Sequence, residues 1–185
     1  MKSADWHARV ESAGRVAGAG FLVTPRRVLT CAHVVHEADP QALTVTFTER
    51  PGLPAVPARV IADGGWSGGT ADPGDLAVLE LAYDAPIAPA ALAPVDAAHD
   101  RRPGRPRKLV VYGFPLGFDE GTLAEYRITA TQLLNREWIQ LEAWQPGGQP
   151  LAPGFSGAAV TLADTGEVVG MVTAAAGDRG VHNGR

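Results

Sequence analysis

The chain has 185 residues, enough for one medium domain or two small fused halves. Hydrophobic residues make up 45% and charged residues 19%, the balance of a globular protein, and a formal net charge of −4 leaves no nucleic-acid footprint. One cysteine, Cys31, excludes an intrachain disulfide. No run approaches the roughly 20 apolar residues of a membrane helix, and "MKSADWHARVESAGRV" lacks the apolar stretch of a signal peptide. The expected setting is therefore cytoplasmic, with no membrane and no nucleic acid as partner.

Gly (22) and Pro (15) are abundant and long helical patterns are scarce, so the expected fold is all-β and rich in turns. "GAGFLVT" (18–24) and "RVLT" (27–30) flank a turn at Pro25-Arg26. "LTVTFT" (43–48) alternates, with Leu43, Val45 and Phe47 on one face. "PAVPARVIA" (54–62) leads to a glycine-rich loop and then to "DLAVLELA" (75–82). Residues 91–107 lie in an Ala-, Pro- and Arg-rich stretch that reads as a connector, and its basic cluster as a solvated linker. Beyond it "KLVVYGF" (108–114) reads as a buried strand. "LAEYRITATQLL" (123–134) pairs with "EWIQLEAW" (137–144), and "GAAVTLAD" (157–164) with "EVVGMVTAAA" (167–176). The expectation is a single domain over 1–185, made of two antiparallel six-stranded β-barrels over 1–90 and 108–185.

Two of the four serines sit among glycines. Ser67, in Gly65-Trp66-Ser67-Gly68-Gly69, matches the nucleophile pattern of α/β-hydrolases, which needs a strand turning into a helix. The stretch after it, Gly68 to Gly74 with Pro73, cannot open a helix, and the histidines downstream are His99 and His182, in a loop and at the chain end. Ser156 lies in Pro153-Gly154-Phe155-Ser156-Gly157, where Gly154 lets its own N–H and that of Ser156 converge as an oxyanion hole; a tight β-turn explains the string equally well.

A serine nucleophile needs a base, and the base an acid. His33 follows a buried strand and a Thr-Cys-Ala step, where a half-turn of helix would present its imidazole inward. Asp75 leads straight into an apolar strand, a costly place for a carboxylate without an N–H or cationic partner. Its rival Asp72 precedes Pro73 and reads as a turn residue.

Thr30-Cys31-Ala32-His33, Asp75-Leu76-Ala77-Val78-Leu79 and Gly154-Phe155-Ser156-Gly157 together resemble the trypsin-like, chymotrypsin-fold serine peptidases of bacterial type, in the chain order His, Asp, Ser. The resemblance spans about residues 17 to 176, with Val168–Thr173 similar to the strand after the nucleophile. It implies a two-barrel fold and an endopeptidase acting on protein or peptide substrates through an acyl-enzyme. His33, Asp75 and Ser156 would be catalytic, Gly154 and Ser156 would form the oxyanion hole, and no metal or cofactor would be required. The family's primary pocket falls on Pro150, Thr173, Ala174 and Ala175; none is acidic, which implies an uncharged residue before the cleaved bond, unless Asp178 reaches the pocket.

The sequence departs from the secreted members at Phe155, where they carry an aspartate that pairs with a freed N-terminus. That switch is not expected here, and control by a domain C-terminal to this chain or by a partner protein is. The end at "GVHNGR" is read as cutting short the last strand of the second barrel. The alternatives are a catalytically silent fold of the same kind used for binding or regulation, and a hydrolase using Ser67. His7, His36, His99 and His182 show no ligand spacing and are assigned surface or capping roles; Cys31 is read as a small buried hydrophobe and the four tryptophans as packing residues.

Overall fold

The structure is a computed structural model that describes residues 4–36, 38–68, 74–98, 107–131, 139–148 and 150–173. Six strands, β1 (His7–Ser12), β2 (Arg15–Thr24), β3 (Arg27–Thr30), β4 (Leu43–Thr46), β5 (Val56–Asp63) and β6 (Ala77–Leu81), close an antiparallel barrel in the order β1-β2-β3-β6-β5-β4. Period-two patterning builds it. Leu43 and Val45 point inward and Thr44 and Thr46 do not, and Ala77, Leu79 and Leu81 alternate with Val78 and Glu80 in the same way. Val10, Leu22, Val28, Val45, Phe47 and Leu79 fill the interior. Each large side chain so buried stabilises the barrel by about 1.5–3 kcal/mol.

The second half holds β7 (Leu109–Gly113), β8 (Thr122–Thr131), β9 (Ile139–Ala143), β10 (Ala159–Leu162) and β11 (Val168–Met171) in the order β11-β10-β7-β8-β9. All five residues of β7 are buried, as a central strand covered on both faces requires. Leu109, Val111, Phe114, Tyr126, Phe155 and Leu162 form its core. The all-β, two-barrel expectation holds, with one difference: among the described residues the second sheet has five strands, not six. Residues 174–185, onto which the reading of a last strand partly falls, lie outside the described residues.

Burial in β1 departs from strict alternation. β1 buries His7, Ala8 and Val10, two of them consecutive, and carries a register shift between Val10 and Glu11, so its burial departs from the alternation of Ala8 and Val10 with Arg9 and Glu11 in its sequence. The chain is tied down at the start of the connector: just before it Ala90 N–H donates to the Leu22 carbonyl, and within it Ala93 N–H donates to that of Val168, both at 2.8 Å. At the described end of the basic cluster, Arg107 is engaged by Asp164 and the Ala97 carbonyl, and Lys108 by Glu125. Residues 101–106 of that cluster lie outside the described residues.

Candidate active site

β3 runs into a single helical turn, α1 (Ala32–Val35), with Cys31 extended at its N-cap. Ala32, Val34 and Val35 are buried, so the turn is clamped by packing and His33 is left 29% exposed. Asp75 enters β6 from the neighbouring strand end and is 8% exposed. Its carboxylate meets His33 twice: Oδ2 lies 2.8 Å from Nδ1, and Oδ1 accepts the His33 backbone N–H at 3.0 Å. Both oxygens thus have a donor, which is what makes a buried carboxylate tolerable. An ionised Asp75 selects the tautomer with the proton on Nδ1 and leaves Nε2 as an acceptor.

Ser156 stands on the turn between β9 and β10. Phe155 N–H donates to the Ala152 carbonyl at 3.1 Å and Gly157 N–H to that of Val172 at 2.8 Å. The N–H groups of Gly154 and Ser156, on either side of Phe155, have no acceptor among the described residues. Gly154 has φ +103° and Gly157 φ +85°, both glycine conformations. A Cβ on Gly157 would strike the Ala19 carbonyl oxygen and Thr30 Oγ1.

That close approach docks the turn on the first barrel. Ala19 N–H donates to the Ser156 carbonyl at 2.8 Å, and Thr30 Oγ1 donates to the Ala19 carbonyl at 2.7 Å. A Cβ on Gly18 would lie 2.9 Å from the Ser156 oxygen and 2.7 Å from Val34, the residue after His33. Ser156 is thereby brought beside α1, but its hydroxyl makes no hydrogen bond among the described residues. The His33–Asp75 contact is closed and the Ser156–His33 contact is open.

Phe155 is fully buried in the second core, its ring against Gly113. Where an aspartate would need an ionic partner, this turn is held by an apolar plug. Pro150 and Thr173 are half-buried; Ala174 and Ala175 lie outside the described residues, as do Asp72, His99, Asp178 and His182. Ser67 is exposed on the loop ahead of Asp75, and no helix comes after it among the described residues of that loop.

Cys31, His33 and Asp75 offer three ligand atoms within 4.8 Å of one another. The donor set does not suit a cation. Nδ1 and Oδ2 are taken up with each other, and the Cys31 thiol is pushed strongly upward by burial and then by the Asp75 charge, so it stays protonated and donates to the Val172 carbonyl. Sequence reasoning assigns Trp66 to packing; the structure sets its ring 5.9 Å from that of His33 and 5.0 Å from that of His36. A tryptophan in a glycine-rich loop nine residues ahead of Asp75 is the available signal.

A family model described as a trypsin-like peptidase domain matches residues 18–171. Among solved structures, an inactive form of Rv3671c from M. tuberculosis H37Rv, a serine-to-alanine mutant, is 23% identical with a TM-score of 0.62, over 93% of this chain and 76% of that one. The HtrA-type protease AlgW with a tripeptide is 21% identical with a TM-score of 0.71, over 98% of this chain and 55% of that one. A mutant of human heparin binding protein is 15% identical with a TM-score of 0.73, over 94% and 81%. A search of curated proteins finds no significant sequence match.

Proposed function

Because the chain belongs to the trypsin-like peptidase family, we propose that it is a serine endopeptidase using His33, Asp75 and Ser156. The observation that carries this reading is the doubly held His33–Asp75 pair, with the Ser156 turn docked beside it. Ser156 Oγ attacks the carbonyl carbon of a peptide bond while Nε2 of His33 takes its proton. Asp75 holds the proton on Nδ1 and stabilises the imidazolium without becoming protonated. The N–H groups of Gly154 and Ser156 receive the oxyanion, each worth roughly 3 kcal/mol. His33 then returns the proton to the leaving amine, and water cleaves the acyl-enzyme by the same steps in reverse.

Pro150 and Thr173 supply no charge, so the residue before the cleaved bond is uncharged. Control comes from a further domain or a partner protein, because Phe155 cannot form the ion pair of the secreted enzymes. A fluorophosphonate probe tests the catalytic reading. Labelling of wild type that disappears in Ser156→Ala supports it; a folded wild type that never labels makes the chain a binding module. Labelling that survives Ser156→Ala and is lost in Ser67→Ala assigns the chemistry to the other serine.

A further inference from the structure

The loop between β5 and β6 brings two different groups to His33. At its neck Gly64 and Gly74 run so close that a Cβ on either would lie 2.5 Å from the other's carbonyl oxygen. Gly64 N–H donates to the Leu76 carbonyl and Leu76 N–H to that of Gly74, both at 2.8 Å. These bonds fix the start of β6, and with it the Asp75 carboxylate on Nδ1. From the same neck, Gly65 N–H is held by Asp63 Oδ1 at 2.8 Å, and the next residue is Trp66.

The Trp66 indole packs partly against the first barrel's core and tilts 50° to the His33 ring at 5.9 Å. His36, one turn further along the chain, meets the same indole edge-on at 5.0 Å. The indole thus contacts both imidazoles. A ring there covers part of the half-exposed His33 imidazole, and its centroid at 5.9 Å lies within range of a cation–π attraction to the imidazolium. We infer that Trp66 is a positioning residue for His33, holding the imidazole on Asp75 and shielding the hydrogen bond between them. The value of this role to catalysis rests on the proposed serine-peptidase reading, which gives His33 its work.

The test pairs an activity readout with one that needs no activity. In Trp66→Leu, which keeps apolar bulk, fluorophosphonate labelling of Ser156 and kcat on a peptide ester fall about ten-fold with KM held. The proton between His33 Nδ1 and Asp75, followed by NMR, exchanges with water about ten-fold faster as the site opens more readily. Trp66→Phe, which keeps the aromatic face, restores most of both. Unchanged proton exchange in folded Trp66→Leu overturns the inference, as does a raised KM at an unchanged labelling rate, which would make Trp66 a substrate wall. A wild type that never labels, with exchange still accelerated in Trp66→Leu, defeats the peptidase reading and leaves the positioning role standing.

Discussion

Asp75 holds His33 by its ring and by its backbone at once, at 2.8 Å and 3.0 Å. The double grip fixes both the tautomer and the position of α1 against β6. Asp75→Asn keeps the shape but presents an amide that can reverse the polarity of the ring contact. The expected result is a fall of about ten-thousand-fold in kcat with the fold retained, read by ester hydrolysis alongside circular dichroism. Activity within ten-fold of wild type would remove Asp75 from the mechanism.

Gly157 is the point where the nucleophile turn touches the first barrel. Alanine there meets the Ala19 carbonyl and adopts φ +85° at the same time. Overpacking and backbone strain together destabilise by about 2–4 kcal/mol. Gly157→Ala is therefore expected to lower the thermal midpoint and to abolish labelling of Ser156. Alanine at Gly166, in an open turn, strains the backbone without meeting another group and keeps labelling.

The Phe155 side chain holds the turn by burial in the second core. Truncation to alanine leaves a cavity against Gly113 and costs about 3–5 kcal/mol. Phe155→Asp places a charge in the same space with no ionic partner among the described residues, and is expected to destabilise further in urea titrations. Phe155→Leu, closer in volume, keeps most of the stability and the labelling. An aspartate variant as stable as wild type would show that the turn has an ionic partner after all.

The order His33, Asp75, Ser156 is legible because each residue sits in a local string that chemistry constrains: a strand end, a strand start and a glycine-flanked turn. Strands with clean alternation, such as those carrying Val45 and Leu79, are legible for the same local reason. β1 carries the same signal, with Ala8 and Val10 alternating with Arg9 and Glu11, but its burial does not follow it: His7 is enclosed beside Ala8, and a register shift falls after Val10. Trp66 reads as packing because its partner lies in α1, far back along the chain, and nothing local in "GGWSGGT" encodes that contact. His7, given a surface or capping role from its lack of ligand spacing, is in fact enclosed where the two halves meet.

His7 is 5% exposed, between Trp6 at 4.1 Å and Tyr112 of the second sheet at 5.0 Å, and its buried Nδ1 has no hydrogen-bond partner among the described residues. Burial lowers its pKa from 6.5 to about 3. The unfolded chain therefore binds a proton below pH 6.5 that the folded chain refuses until about pH 3. More protons on the unfolded side means stability rises with pH across that window, is fully present above 6.5 and is lost as pH falls toward 3. Each pH unit removes up to about 1.4 kcal/mol. The urea midpoint of wild type is expected to slope upward from about pH 4 to pH 6.5 and then flatten. His7→Phe, apolar and close in volume, has nothing to protonate there and should flatten that slope; equal slopes for the two proteins would show that His7 is hydrated or paired in solution.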